Sequence, residues 1–331
     1  MRKYLPWLLR LIGPLLLVLF LANSDLEELG AELAGADPWY ITLSLLMIVP
    51  FMVVKAWRWQ RVLRELTLDL PLHTATFLYT IGIYLGSVTP GQAGDLVKAW
   101  YLRERGHPLA PALLSVVIDR LFDMIVMAAL AVLGIFALGN LLPGRGFETF
   151  LVLAMGAGLV FLMVVLMSPG PREWLLTRAL PTVLPQRLHD SLHHWNTQFS
   201  TLAMHPRLVL DASIASLVSA GFSFFRLWLL FIALDVPIPF SVLVGGSALI
   251  AILQVAPISI AGVGVRDAVL IAILFPYGYT TEQALGVSAL FLLLTLEQIL
   301  LGLMLSFWYP IGKKLRQVVP DQPPVPETTP E

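Results

Sequence analysis

Apolar stretches of about 20 residues recur along this chain of 331 residues, and a helix of that length crosses the hydrocarbon layer of a membrane. Only 13% of the residues are charged, against roughly 25% in soluble domains, and the mean hydropathy is +0.80. The sequence therefore predicts an all-α, polytopic membrane protein. The six full spans are predicted near 5–22, 38–57, 112–139, 148–168, 208–234 and 285–309.

The charge balance and the lack of cysteine exclude several classes of protein. Lys and Arg number 21 against 22 Asp and Glu, a formal net charge of −1, so charge predicts no nucleic-acid partner. With 0 Cys, disulfides and thiolate chemistry are excluded. The first apolar stretch follows Arg2 and Lys3 and is similar to a signal peptide, but Leu21-Ala22-Asn23 is a poor cleavage site. We expect an uncleaved first span.

Two further apolar stretches, 72–100 and 240–275, are interrupted by proline and glycine. Non-helical backbone inside a membrane is tolerated only where it is buried in protein or lines a wet cavity. Two matching interruptions in the two halves of a chain are typical of inverted-repeat transporters; the alternative is a pair of kinked helices whose glycines permit close packing. We predict two re-entrant hairpins in an inverted repeat. The predicted hinges are Pro90, Gly91, Pro257 and Gly262.

Basic residues set the predicted orientation, because Lys and Arg near the ends of spans are retained in the cytoplasm. The loop 23–37 has five carboxylates and no Lys or Arg, which predicts an external position. Segments 55–64 and 98–105 are basic and are predicted to be cytoplasmic. The first hairpin must then enter and leave from the cytoplasm, and the second from outside. The protein is predicted to lie in the cytoplasmic (inner) membrane, with both termini in the cytoplasm.

A single membrane domain, 1–312, is predicted, followed by a disordered cytoplasmic tail, 313–331. Apolar residues within 186–204 follow a 4-3-4-3 spacing, which predicts an amphipathic helix on the membrane surface. His189 and His193 form an i, i+4 pair with the spacing of zinc ligands. Since their neighbours are typical of a solvated helix face, we expect no metal site.

The two broken hairpins predict positive potential in the middle of the membrane. Half-helices beginning near Gly94 and Gly264 would point unpaired N–H groups there, and Lys98 and Arg266 would add formal charge. This arrangement favours an anion such as a phosphate. The predicted substrate-binding residues are Lys98, Arg120, Arg266, Gly94, Gly264, Ser87, Thr89 and Gln92.

Ionisable residues inside apolar spans are candidates for function because each costs at least ~2.5 kcal/mol at the centre of a bilayer. The spacing of Asp119, Arg120 and Asp123 predicts an Arg120–Asp123 pair with Asp119 one turn away; the alternative is a neutral cluster that locks helices together. The predicted coupling or orienting residues are Asp95, Asp119, Asp123, Asp267, Glu297 and Arg226.

Glu297 lies halfway along the last apolar stretch, with no basic residue within four positions. Either it is protonated or it pairs with an arginine of another helix. Arg226 is the candidate partner, although it would also be able to snorkel outward. At the end of another span, Asp211 is predicted to pair with Arg207, four residues before it.

Three short motifs resemble the lysylphosphatidylglycerol synthase transmembrane (flippase-like) family. Residues 90–98 are similar to its Pro-Gly-x-Gly-Glu-x-x-Arg/Lys region, with one extra residue between the glycines. Residues 119–123 resemble its Glu-Arg-x-x-Asp segment, and 261–267 its Gly-Gly-x-Gly-x-Arg-Glu segment. This chain has Asp at three positions where the family has Glu, and Ala261 in place of a glycine. The resemblance implies the lipid-translocating part of such a synthase without its aminoacyl-transfer domain.

The leading hypothesis is a flippase, a lipid transporter for a phospholipid or a polyprenyl-phosphate-linked lipid. Its headgroup would bind between the two hairpin tips. No catalytic or ATP-binding motif occurs, so we expect no enzyme and no cofactor. The alternatives are a secondary transporter of a small anion and a membrane-embedded polyprenyl-phosphate-dependent transferase, whose metal the acidic loop 25–37 could hold. Membrane lipids are the expected partners, and a homo-oligomer or a partner lipid-modifying enzyme stays open.

Overall fold

The computed structural model describes residues 25–138, 168–183, 206–253 and 264–309, with a few single positions between 153 and 165. Within these residues the chain is helical and contains no strand. Several predictions lie outside the described residues. These are the span 5–22, most of the span 148–168, the surface helix 186–204 with its histidines, the hinges Pro257 and Gly262, and the tail 313–331.

Twelve α-helices follow one another in the described part of the chain. They are α1 (Leu26–Gly35), α2 (Pro38–Leu46), α3 (Ile48–Glu65), α4 (Leu72–Val88), α5 (Val97–Glu104), α6 (Leu109–Leu138), α7 (Pro169–Trp174), α8 (Leu180–Val183), α9 (Pro206–Ala233), α10 (Phe240–Leu253), α11 (Val265–Leu274) and α12 (Thr281–Trp308). Short 3₁₀ helices occupy Pro90–Leu96 and Phe275–Tyr277, and a π-helical turn occupies Leu175–Ala179.

Three helical segments of the described residues are long and apolar enough to cross a membrane. They are Pro38–Glu65, Arg207–Ala233 and Thr281–Trp308, and they confirm the predicted spans 38–57, 208–234 and 285–309. The predicted span 112–139 lies on α6, a helix of 30 residues.

The first of these segments is broken at Met47, between α2 and α3. Pro50 has no N–H and its ring clashes with the carbonyl four residues earlier, so it disfavours a straight helix at this point. Within the described residues, the Ser44 carbonyl receives no backbone N–H across the break and accepts from the Arg226 side chain instead, at 2.9 Å. The break therefore frees a buried backbone acceptor for a cation of another helix.

The described helices form two halves with the same layout, 38–138 and 206–308. Four helix boundaries of the first half recur in the second at one constant interval, 168 residues (206 minus 38, for example). The matched boundaries are Pro38 and Pro206, Glu65 and Ala233, Leu72 and Phe240, and Val97 and Val265. The loop after α3 and the loop after α9 also share a backbone turn, in which the N–H of Leu68 or Val236 donates to a carbonyl five residues earlier at 2.9 Å.

The two halves are inverted relative to one another. The long helical segments 38–65 and 206–233 pack antiparallel, because Asp37 lies beside Ala233 at one end and Arg61 beside Asp211 at the other. On either side of this antiparallel pair, helices of one half pack against helices of the other: α6 packs against α10, and α12 packs against α4. Each half thus packs its last helix against the other half's broken hairpin.

In the first hairpin the chain reverses direction immediately after α4. Thr89 ends α4 in an extended conformation, and the 3₁₀ helix Pro90–Leu96 packs back against α4. Gly94 permits this contact, since a Cβ at this position would lie 2.2 Å from the Leu85 carbonyl oxygen. Both ends of the hairpin lie at the same end of the bundle, because Phe77 and Tyr101 each contact Tyr309.

In the second hairpin, α10 and α11 pack side by side, and residues 254–263 between them lie outside the described residues. The Tyr279 hydroxyl donates to the Pro237 carbonyl at 2.8 Å, so this hairpin also begins and ends at one end of the bundle. That end carries Asp37 and Ala233, opposite the end that carries Tyr309. Two apolar cores support the hairpins: the first is built mainly from the first half, with Leu208 and Ala212 of α9, and the second from the second half.

Candidate functional site

Arg58, on α3, is fully buried and lies at the centre of a charge network. Its Nε donates to Asp119 at 2.8 Å, and one terminal nitrogen, Nη1, donates both to Asp123 and to the hydroxyl of Ser216, the latter at 2.6 Å. A weaker bond of 3.3 Å reaches the Tyr79 hydroxyl. Arg58 therefore ties α3 to α4, α6 and α9.

Lys98 is equally buried and extends the network to the first hairpin. Its ammonium lies 2.9 Å from Asp95 and 3.5 Å from Asp119, and 4.0 Å from the ring centroid of Tyr79. Gly82 makes this approach possible, since a Cβ there would lie 2.6 Å from the Asp95 carboxylate. The predicted positive charge of Lys98 is thus present, but it is paired with carboxylates.

Arg120 pairs with the hairpin and not with its own helix neighbour. Its Nε donates to Asp95 at 2.8 Å, and a terminal nitrogen binds the Gln92 side-chain oxygen. The predicted Arg120–Asp123 pair is therefore wrong: Asp123 is held by Arg58 and by Lys55, the latter at 2.7 Å. Helix spacing allows a pair within one helix, but the hairpin brings the Asp95 carboxylate to Arg120 instead.

The seven charged residues joined by these contacts are called the first-half network. They are Lys55, Arg58, Lys98, Arg120, Asp95, Asp119 and Asp123. Four cations face three carboxylates, which leaves one positive charge in excess. Burial of an uncompensated charge is costly. The Arg120 side chain is 33% exposed and is the most accessible of the four cations, which are otherwise between 0% and 13% exposed.

The polar residues at the tip of the first hairpin bind backbone groups. The Thr89 hydroxyl donates to Leu85 at 2.7 Å and accepts from the Gly94 N–H at 2.7 Å, and Ser87 donates to Ile83 at 2.9 Å. The expectation of an unpaired N–H at Gly94 is therefore wrong. Gln92, with a positive φ of 56°, is the tip residue whose side chain lies against Arg120.

In the second hairpin, Arg266 is buried beside the start of α11. Its Nε donates to Ser288 at 2.8 Å, and another nitrogen lies 3.4 Å from Asp267. Asp267 also accepts from the Gly264 N–H at 2.7 Å, so the chain's own carboxylate caps this helix. The Gly264 N–H is therefore paired within its own helix, contrary to the prediction for this residue.

Arg226 and Glu297 form the third buried charge site. The Arg226 guanidinium is 3% exposed and binds the Glu297 carboxylate, while its Nε donates to the Ser44 carbonyl at 2.9 Å. The Ser44 hydroxyl returns a bond of 2.9 Å to the Arg226 carbonyl. Arg226 is therefore the partner of Glu297, and the alternative of a snorkelling side chain is wrong.

The buried cations occupy equivalent positions in the two halves. Arg58 and Arg226 are separated by the same 168 residues as the helix boundaries, and so are Lys98 and Arg266. Arg58 reaches Ser216 of the second half, and Arg226 reaches Ser44 of the first. Each arginine therefore joins its own half to the other. Sequence reasoning missed Arg58, which it assigned to a basic cytoplasmic segment, although the 168-residue interval to Arg226 is a signal in the sequence.

One prediction about a neighbouring site also differs from the structure: Asp211 pairs with Arg61 on α3 and not with Arg207. The site between the two hairpin tips stays a prediction. Among the described residues no ion pair joins Arg266 or Asp267 to the first-half network. The tip of the second hairpin, 254–263, lies outside the described residues.

The acidic residues of loop 25–37 have local roles. Asp25 caps α1 by accepting from the Glu27 N–H at 2.8 Å, and Asp37 caps α2 by accepting from Trp39 at 2.8 Å. Glu28 and Glu32 line a surface cavity together with Asp235. In the part of the chain that the structure describes, no group of three or more His, Cys, Asp or Glu side chains is arranged to hold a metal ion.

A family model described as the lysylphosphatidylglycerol synthase TM region matches residues 7–302. The chain belongs to this family. It is 24% identical to a UPF0104 membrane protein of Pyrococcus horikoshii over 94% of both chains. A UPF0104 membrane protein of Methanothermobacter thermautotrophicus is 20% identical over 90% of this chain and 91% of its own. Glycosyltransferase AglD of Haloferax volcanii is 29% identical over 151 residues, 44% of this chain and 23% of AglD.

Proposed function

We propose that this membrane protein is a flippase of the cytoplasmic membrane, which moves a lipid with a phosphate-bearing headgroup between the leaflets. The observation that carries the proposal is the charge of the first-half network, which has one cation more than it has carboxylates. A phosphate at Arg120 would supply the missing negative charge. Arginine suits this role because its planar fork of donors binds phosphate oxygens after one edge is paired.

The depth of Arg120 supports a site in the interior of the membrane. Arg120 lies 11 positions after Leu109, the first residue of α6, which is ~16 Å along a helix axis. The hydrocarbon core of a bilayer is ~30 Å thick. Because α6 has 30 residues, ~45 Å of helix, a core of this thickness centred on α6 would hold a headgroup bound to Arg120 within it, ~9 Å from its nearer face.

The topology of the proposal has both hairpins re-entrant and both termini in the cytoplasm. It is supported by the contacts that hold the two ends of each hairpin at the same end of the bundle, and by the opposite placement of the two hairpins. The inverted packing of the halves adds support, since transporters with such repeats expose a central site alternately by rocking one unit against the other.

The carboxylates of the first-half network have an orienting role in this proposal. Asp95 holds Lys98 and Arg120 at the hairpin, and Asp119 holds Lys98 and Arg58 behind it. Lys98 then attracts the headgroup phosphate through its charge, without contacting it. Arg120 and Gln92 are the residues that would meet the headgroup, and Arg266 would support the second hairpin through Asp267 and Ser288.

The experiment compares two arginine variants in proteoliposomes that contain a fluorescent phosphatidylglycerol. Arg120→Gln should lower the rate of lipid translocation by at least about ten-fold, the effect of losing a charge-assisted pair. Arg61→Gln is the matched control, because this side chain is 40% exposed and pairs with Asp211 away from the network. Its rate should stay within about two-fold of the natural protein.

Unchanged translocation in Arg120→Gln would contradict the proposed site. The small-anion transporter would be favoured if the natural protein took up inorganic phosphate but moved no lipid, and if Arg120→Gln lost the phosphate uptake. The similarity to glycosyltransferase AglD over 151 residues keeps a polyprenyl-phosphate-dependent transferase as the second candidate. Metal-dependent formation of a modified lipid by the purified protein would favour that candidate.

A further inference from the structure

The two equivalent arginines have very different numbers of partners. Arg58 binds two carboxylates, Asp119 and Asp123. Arg226, at the equivalent position of the second half, binds the single carboxylate of Glu297. The same scaffold therefore carries a multiply held ion cluster in one half and a simple ion pair in the other.

Glu297 has the fewest stabilising contacts among the buried carboxylates of the described helices. Each carboxylate of the first-half network contacts two cations. Asp267 has one cation but also accepts from the Ser288 hydroxyl and from the Gly264 N–H. Glu297 accepts one bond, from Arg226. Fewer bonds to the charged form make a carboxylate easier to protonate.

The helices packed against α12 place few charged groups near Glu297. From α9 comes Arg226. The α11 residues Arg266 and Asp267 lie at Ser288, nine positions before Glu297, and Tyr84 of α4 lies against Gly302, five positions after it. On α1, the acidic residues Glu27, Glu28 and Glu32 lie near the start of α12, where the Asp25 N–H contacts Glu282. Protonation of Glu297 therefore alters one ion pair and no wider network.

The Glu297 side chain is also more exposed than most of the other carboxylates in these ion pairs. Its side chain is 15% exposed, whereas those of Asp119, Asp267 and Asp95 are 0%, 1% and 4% exposed. Asp123 is 16% exposed, but Lys55 and Arg58 both hold its charge. Exposure and weak pairing coincide at Glu297 among these residues.

We infer that Glu297 is the proton-binding carboxylate of this protein, and that its protonation releases Arg226 from α12. One proton adds to a carboxylate oxygen and is later returned, so the step needs no other reactant. Arg226 keeps its bond to the Ser44 carbonyl, and the last helix of the second half loses its ion pair to α9. The inference rests on the proposed function, to which it adds the coupling ion.

The first test observes protonation directly and does not depend on transport. Infrared difference spectra of the purified protein in lipid nanodiscs, recorded between pH ~6 and pH ~9, above the range in which exposed carboxylates titrate, should contain a protonated-carboxyl band. The band should disappear in Glu297→Gln and persist in Asp123→Asn, the matched variant at a carboxylate of similar exposure. Glu297→Asp should keep the band at a shifted frequency, which covers the case in which the glutamine variant does not fold. Persistence of the band in folded Glu297→Gln would overturn the inference.

The second test measures lipid translocation as the pH of one compartment is varied. In the natural protein the rate should change by about ten-fold across the titration of Glu297, and in Glu297→Gln by less than about two-fold. The reason is that protons shift an equilibrium between two conformations only when one conformation binds the proton more tightly than the other. Titration of Glu297 without lipid movement would contradict the proposed function alone. Lipid movement with the same pH dependence in Glu297→Gln would contradict the inference alone.

Discussion

The two halves of this protein share one architecture and differ in charge. Helix boundaries and two buried cations recur at an interval of 168 residues, yet the first half concentrates four cations and three carboxylates around its hairpin. The second half has two separate pairs, Arg226–Glu297 and Arg266–Asp267, each neutral. The comparison teaches that an inverted scaffold does not require two equal sites. We propose that one half binds the anion and that the other releases a single ion pair.

The largest expected effect is a loss of stability on removal of Arg58, which should exceed the loss on removal of the equivalent Arg226. Arg58→Ala leaves Asp119 and Asp123 buried with fewer partners, and breaking a buried ion pair in this way costs about 3–5 kcal/mol. Arg226→Ala removes the partner of one carboxylate that is partly exposed, so its loss of stability should be smaller. Thermal unfolding in detergent, followed by circular dichroism, compares the two variants.

An equal or larger loss of stability in Arg226→Ala would contradict this comparison. The natural protein measured in the same detergent is the reference, and Arg61→Ala, at an exposed ion pair, controls for removal of an arginine as such.

A second prediction concerns the close packing at the first hairpin. Gly82→Ala would place a Cβ 2.6 Å from the Asp95 carboxylate and 2.9 Å from Lys98, and such overpacking costs about 1–3 kcal/mol. We expect a lower melting temperature and slower lipid translocation, because the carboxylate that holds Arg120 must move.

Gly221→Ala on α9 is the matched control for this prediction. Nothing lies within 4 Å of a Cβ at Gly221, and alanine is the better helix former. Its stability should equal or exceed that of the natural protein. Similar behaviour of the two alanine variants would show that the hairpin does not pack against α4 as described.

The smallest expected effect belongs to the exposed ion pair of Arg61 and Asp211. These side chains are 40% and 29% exposed, and pairs of this kind contribute ~0–1 kcal/mol. Asp211→Asn should lower the free energy of unfolding by less than about 1 kcal/mol, with little further loss in the double variant Arg61→Gln/Asp211→Asn. A coupling of Asp211 to Arg207 instead, measured by the corresponding double-mutant cycle, would contradict the observed pairing.

Much of the fold was predictable from the sequence because hydrocarbon imposes simple rules. The length of apolar stretches gave three spans that the structure confirms as membrane-crossing by length and composition. The proline and glycine residues at 90–94 predicted an interruption of the helix, and the structure has the 3₁₀ helix Pro90–Leu96 at this point. Partnership of Arg226 and Glu297 was predictable because a buried charge requires an opposite charge.

The pairing within the charge network was not predictable from local spacing. The sequence favoured Arg120–Asp123 and Arg207–Asp211, both within one helix, but each acid binds a cation of another helix. Tertiary packing brings those partners together, and the spacing of residues within one helix does not show which helices will pack against each other. Arg58 was missed because a basic residue near the end of a span is typical of the cytoplasmic boundary, whereas here it is completely buried.

A count of bound phospholipid by native mass spectrometry tests most directly whether the first half holds the anion. Arg120→Gln and Arg266→Gln remove one arginine from each hairpin site, and the natural protein supplies the reference. We expect one phosphatidylglycerol to be lost in Arg120→Gln and retained in Arg266→Gln. Retention in Arg120→Gln together with loss in Arg266→Gln would place the anion in the second half and contradict the charge asymmetry proposed for the two hairpins.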